Sequence, residues 1–177
     1  MKVNQTKVTL VPLEPSDREQ FILDNQEAFL FGSVEEFGMR NDHFEEDGEI
    51  ISRKTIEESM DKNGAETYRI LLNGEIVGGV ILTIDYETHH NHLDILFVSP
   101  KAHSKGIGYA AWREIEALHP KTKVWETCTP YFEKRNIHFY INKCGFHIVE
   151  FYNDPHSPNG DSSDGKEFCM FRFEKVM

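Results

Sequence analysis

Nowhere does this chain run apolar for the roughly 20 residues that a membrane helix needs, and its opening, Met1-Lys-Val-Asn-Gln, lacks the apolar core of a signal peptide. A cytoplasmic protein is expected. Cysteine is scarce: Cys128, Cys144 and Cys169 are odd in number, widely spaced and set in apolar strand or helix text. That pattern indicates neither a disulfide framework nor a zinc site, and the three read as small buried residues. Basic residues are also few, 19 against 30 acidic ones for a net charge of −11. This balance argues against nucleic acid, whose phosphates need a positive face, and leaves cationic amines as partners. Glu45-Glu-Asp47 with Glu49, and Asp154, Asp161 and Asp164, read as solvated acidic loops. Internal repeats and low-complexity segments are absent. With 177 residues, 39% of them hydrophobic, one domain over residues 1–177 has enough apolar material for a core.

The pattern of apolar residues and turn formers orders the elements as βααβββαβαββ. Residues 3–13 alternate as a strand, and Pro15-Ser-Asp-Arg-Glu19 reads as a capping box opening a helix to about Phe31. A second helix runs from about Thr55 to Lys62 and stops at Asn63-Gly64. Asn73-Gly74 stands between two apolar runs, the strongest short hairpin signal. Strands follow at 93–98, 123–129, 147–152 and 167–173, with helices after Gly106 and over 132–144, the latter capped by Gly145. The segment 153–165 is dense in turn formers and long for a connection, as expected of a mobile loop or a lid.

Most of the functional signal lies in Leu93-Asp-Ile-Leu-Phe-Val98, then Ser99-Pro100, then His103-Ser-Lys-Gly106-Ile-Gly108-Tyr-Ala-Ala111. This is a strand, a wide loop with two glycines, and a helix start whose apolar positions are Ile107, Ala110, Ala111, Ile115 and Leu118. Such a junction makes an anion cradle: glycine admits a ligand close to the backbone, and the unpaired N–H groups of a helix start bind phosphate. Lys101 and Lys105 add positive charge. Gly106-Ile-Gly108-Tyr-Ala-Ala111 also fits the dinucleotide fingerprint, with Glu126 about twenty residues on. In that arrangement, however, the strand runs almost directly into the first glycine, whereas here Ser99 to Lys105 intervene. A wide loop suits a diphosphate whose attached arm turns back along the strand.

The segment resembles motif A of the GNAT superfamily of N-acetyltransferases, Q/R-x-x-G-x-G/A, with His103-Ser-Lys-Gly106-Ile-Gly108 in its place and histidine where the family has glutamine or arginine. Asn136, Tyr140 and Cys144-Gly-Phe146 resemble the family's motif B, N-x-x-x-Y-x-x-x-G-F with a one-residue tolerance; Asn136 and Tyr140, at i and i+4, share a helix face. The resemblance implies an α/β (α+β) fold with a mixed, mostly antiparallel sheet in which two parallel strands splay apart, flanked by helices. It implies acetyl-coenzyme A as cosubstrate. The diphosphate would lie on Ser104, Lys105, Gly106, Ile107, Gly108 and Tyr109, beside His103, with the pantetheine arm along Leu96, Phe97 and Val98 and near Asn136 and Tyr140.

A primary amine, as a small molecule or a peptide, would then attack the thioester directly. A lysine-like amine, with a reference pKa of ~10.4, is mostly protonated at pH 7 and needs a base. The family often carries a glutamate in this strand, and the corresponding position is His92. Asp94 lies two residues on and by alternation shares a face with His92 and Leu96. His92 and Asp94 are therefore the base candidates. Amides near Phe97 and Val98 would stabilise the oxyanion, and Tyr140 is the candidate acid for the departing thiolate. A phenol at ~10 against a thiol at ~8.5 makes full proton transfer uphill by about 2 kcal/mol, so donating a hydrogen bond is the easier role. The run His89-His-Asn-His92 is not expected to bind metal, since alternation sends neighbours to opposite faces. The acceptor pocket falls to residues 25–65 and 153–165, where Phe29, Phe31, Phe37, Phe44, Glu45 and Glu46 suit a cationic, partly apolar amine. The resemblance is compatible with a homodimer. Two alternatives stay open: a catalytically weak coenzyme A-binding sensor or regulatory module, and a nucleotide-dependent oxidoreductase, which NAD binding would reveal.

Overall fold

Asn73 and Gly74 adopt φ of 53° and 84°, the left-handed pair that a two-residue turn requires, and the hairpin they close sits well inside a seven-stranded sheet. The computed structural model describes residues 6–35, 48–103, 105–153 and 169–177. The strands are β1 (Thr9–Pro12), β2 (Ala65–Leu72), β3 (Glu75–Thr83), β4 (His90–Val98), β5 (Val124–Pro130), β6 (His147–Tyr152) and β7 (Met170–Val176). The helices are α1 (Arg18–Leu30), α2 (Arg53–Asp61), α3 (Ile107–Leu118) and α4 (Lys134–His138), which continues as a wider π-type turn over Phe139–Cys144. The sheet order is β1-β2-β3-β4-β5-β7-β6, with every pair antiparallel except β4 and β5. The expected element order and the mixed, mostly antiparallel sheet are therefore present. A single parallel pair also leaves no room for the doubly wound sheet of the dinucleotide-binding alternative.

Alternation divides the core between the two faces of the sheet. Ile81 packs with Phe21, Ile22, Ile56, Ile95 and Phe97 under α1 and α2. Its neighbours Val80 and Leu82 pack on the other face with Leu93, Trp112, Trp125, Phe146 and Phe173 under α3. Gly79 is glycine for lack of space: a Cβ there would lie 2.3 Å from the ring of Phe21 and 2.7 Å from that of Phe97. These two rings meet edge to face at 5.2 Å. Across the same faces, Arg69, only 2% exposed, joins β2 to α1 by hydrogen bonds to Asp17 (2.6 and 2.9 Å) and Asp24 (2.8 Å).

Four local expectations need correction. No side-chain capping bond forms at Asp17, because its carboxylate is taken by Arg69; Pro15–Asp17 instead make a short 3-10 turn before α1. On α3, Trp112 is buried while Leu118 is 46% exposed, so the inward stripe is Ile107, Ala111, Trp112 and Ile115. Of the cysteines, Cys144 is buried, but Cys128 and Cys169 are partly exposed. The last concerns β4: Ile81 pairs with Ile95 and Leu82 with Leu93, so Asp94 is an extra residue in the strand. This bulge reverses the alternation. Asp94 stays beside His92, but Leu96 turns to the α3 face.

Candidate active site

β4 and β5 pair only at His90↔Val124, Asn91↔Trp125 and His92↔Glu126 and then separate. Just past this vertex the Thr127 hydroxyl donates to the Leu93 carbonyl at 2.8 Å, a side chain standing in for the lost ladder. A cleft of about 490 Å³ opens where the strands have parted, within the size range of small-molecule sites. β4 supplies Leu96, Phe97 and Val98 to it, and the mouth of α3 supplies His103, Gly106, Ile107, Gly108 and Tyr109; Asn136 and Tyr140 come from the last helix. Ten of the cofactor-site residues singled out from sequence are thus gathered around one cavity. Ser104 lies outside the described residues. Lys105 is adjacent but faces elsewhere in part, its carbonyl accepting from the Thr6 hydroxyl at 2.8 Å.

The start of α3 is built for an anion. Gly106, its N-cap, has φ 70°, and no side chain caps the first turn, so the leading amides are not claimed by a capping group. Gly108 lies in the same turn, where a Cβ would come within 3.5 Å of the Phe139 ring; glycine keeps that wall thin. His103 is tied to the protein itself: one ring nitrogen, Nε2, is 2.9 Å from the Val98 carbonyl, and Nδ1 is 3.1 Å from Arg135 Nη1. Arginine can only donate, so Nδ1 accepts and Nε2 donates. Arg135, on α4, thereby brings a guanidinium to His103 at the mouth of the loop. Arg135 and Lys143 line the cleft, as do Ala28, Phe29 and Gly32 from the end of α1. Sequence reasoning named Phe29 and held Ala28 and Gly32 only within the broad 25–65 range, and it missed Arg135 and Lys143. Their signal was weak, since a helix-borne Arg or Lys reads as ordinary surface.

Tyr140 is 7% exposed and packs against Phe146 and Phe173, with ring centroids 5.7 and 5.8 Å away. Burial raises its phenol pKa well above the ordinary range, outweighing a hydrogen bond with Thr127 that pulls the other way. The phenol is therefore a proton holder. The π-type turn ends at Gly145, at φ 80°, as expected of that cap. Phe31 stacks edge-on against His103 at 5.2 Å. Phe37, Phe44, Glu45, Glu46 and the segment 154–165 lie outside the described residues.

His92 and Asp94 are brought together, though neither lines the cleft. They sit at the vertex where β4 and β5 part. His92 Nδ1, a buried atom, is 3.2 Å from Asp94 Oδ1. Asp94, its side chain 7% exposed, also accepts from the Thr83 hydroxyl at 2.5 Å and from the Lys62 ammonium. Burial pushes this carboxyl up, but His92, Lys62 and Thr83 together hold it below its ordinary value. It is a fixed negative charge and a poor base. The other ring nitrogen, His92 Nε2, faces β5, 3.8 Å from Glu126 Oε1. Glu126 Oε2 is held by Arg172 at 3.0 Å.

The family model described as the acetyltransferase (GNAT) family matches residues 24–146. Uncharacterized protein YrkN of Bacillus subtilis is 47% identical over 98% of this chain and 96% of its own length. Among solved structures, the fold resembles that of a spermidine N-acetyltransferase from Vibrio cholerae, in complex with CoA and spermine (TM-score 0.68, 14% identity, 97% of this chain and 96% of that one). It also resembles the ribosomal-protein-S18-alanine N-acetyltransferase from Escherichia coli (TM-score 0.66, 15% identity, 96% and 93%).

Proposed function

Since the chain belongs to the GNAT acetyltransferase family, we propose that it moves an acetyl group from acetyl-coenzyme A to a primary amine, borne by a small molecule or a peptide, by direct attack. The observation that carries this reading is the single cleft shared by the end of β4, the uncapped mouth of α3 and Tyr140. The amides from Ser104 to Tyr109 would hold the diphosphate, with the charges of Arg135, Lys143 and Lys105 nearby. Leu96, Phe97 and Val98 offer backbone to the pantetheine arm, and Asn136 flanks it. Bound there, the cosubstrate supplies an activated acyl group.

His92 receives a proton from the incoming ammonium, directly or through one water, at the nitrogen turned away from Asp94. Asp94 fixes the ring and stabilises its positive charge, as a buried carboxylate does behind a histidine base. Amides at Phe97 and Val98 steady the oxyanion as it forms. The Tyr140 phenol donates a hydrogen bond to the departing thiolate. YrkN's alignment over 98% of the chain supports one acetyltransferase unit over residues 1–177. A cytoplasmic location and a homodimer belong to the same proposal; the apolar side chains Ile148, Val149 and Phe151, each more than 40% exposed on edge strand β6, support the latter.

The spermidine and ribosomal-protein-S18-alanine N-acetyltransferases are named for a small amine and a protein residue, so an amine panel spanning both is the appropriate test. Thiol release from acetyl-coenzyme A should rise with at least one member of it. Binding of coenzyme A with no turnover of any amine would favour the second reading, a regulatory module. That reading draws on one observation, that Asp94 is occupied and stands with His92 outside the cleft.

A further inference from the structure

The vertex of β4 and β5 holds more than a base. Glu126 and Cys128, two apart on β5, project to the same face as His92, and one ligand atom from each of the three lies within 4.8 Å of the other two. Four-coordinate zinc, with bonds of about 2.0–2.3 Å, places its ligands about 3.4–3.6 Å apart. His92 Nε2 and Glu126 Oε1 are already 3.8 Å apart, so small side-chain rotations complete the geometry. The surroundings are arranged as metal sites arrange them. Asp94 stands behind His92 at Nδ1, leaving Nε2 directed into the cluster, and Arg172 takes the far oxygen of Glu126, leaving Oε1 directed there too. An imidazole, a carboxylate and a thiol with one position open suit zinc and not magnesium or calcium, which take oxygen ligands.

We propose that His92, Glu126 and Cys128 form a three-ligand site for a thiophilic divalent cation, zinc above all, at the vertex of the splayed strands. On binding, Cys128 loses its thiol proton to solvent and the fourth position is left to water. A cation here takes the lone pair of His92, so zinc slows acetyl transfer in competition with the amine. That consequence rests on the acetyltransferase reading, whereas the site itself does not.

The full chain, stripped of metal with a chelator and dialysed, is titrated with Co²⁺ while the thiolate-to-cobalt charge-transfer absorption is followed, and then with Zn²⁺ to displace it. One Co²⁺ per chain should bind with that band present. Cys128→Ser should abolish the band while Cys144→Ser and Cys169→Ser keep it. Glu126→Gln and Asp94→Asn, which retain the thiol, should keep the band and weaken binding by tenfold or more. Circular dichroism checks that each variant is folded. Absence of the band in the wild-type chain, or its persistence in Cys128→Ser, overturns the proposal; so does unchanged affinity in both Glu126→Gln and Asp94→Asn. The band on titration, with no turnover of any amine by the metal-free chain, would keep the site and sink the acetyltransferase reading.

Discussion

Asp94 and Tyr140 are two buried ionisable groups whose surroundings reinforce the opposite charge states that their ordinary pKa values give them. Asp94 is kept negative by the Lys62 and Thr83 donors and the neighbouring His92 ring in spite of burial, and Tyr140 is kept neutral by burial among aromatic rings. Each consequence can be measured. Tyr140→Phe should lower kcat by about 10²-fold, the usual scale of losing one hydrogen-bond donor to developing charge, while coenzyme A affinity changes little; an unchanged kcat removes the phenol from the mechanism. For Asp94 the folded-state value lies below the ordinary 3.8, so its stabilising contribution is present above about pH 4 and disappears as pH falls through the folded value. Denaturant midpoints of wild type and Asp94→Asn should therefore differ most near neutrality and converge in acid. Equal separation at every pH would show that the charge is not what stabilises. That His92 and Asp94 lie side by side was legible from their two-residue spacing in the strand. The partnership of His92 with Glu126 was not, because a cross-strand neighbour 34 positions away leaves no trace in local spacing.

At the level of elements, the sheet is held by contacts that no local pattern announces. Gly79 lets Phe21 of α1 reach Phe97 of β4. Gly79→Ala should cost about 1–3 kcal/mol, the range for overpacking, since the ring 2.3 Å from the new Cβ has to move; a thermal midpoint equal to wild type would contradict it. Arg69 is the second such contact. Arg69→Met strands Asp17 and Asp24 against the helix–sheet junction and should destabilise by about 3 kcal/mol in urea titration, within the range seen when one partner of a buried pair is removed. The hairpin at Asn73-Gly74, the glycine ends of the helices and the order of elements were readable, because each depends on residues adjacent in sequence. The bulge at Asp94 was not: it exists through the pairing of β4 with β3, and it turns Leu96 away from the face that strict alternation assigns to it. The 3-10 turn at Pro15–Asp17 is similar, since Arg69, 52 residues away, takes the carboxylate that would have capped the helix.

For the molecule as a whole, the parting of two parallel strands is what joins sequence to chemistry. The junction of β4 with the Gly106 and Gly108 loop and the Asn136–Tyr140 helix lie apart in the chain and border one cleft where β4 and β5 separate after His92↔Glu126. Two motifs gave the cleft's outline from sequence; its cations, Arg135 and Lys143, and the wall from α1 became visible only in three dimensions. The central claim is that this cleft binds coenzyme A through the backbone at the mouth of α3. Isothermal titration of coenzyme A into the wild-type chain tests it most directly, with Gly108→Val, which pushes side-chain carbons toward Phe139 and Val98, as the comparison. The account predicts saturable binding of one coenzyme A per chain, weakened tenfold or more in Gly108→Val. No heat with coenzyme A, or equal affinity in the variant, would contradict it.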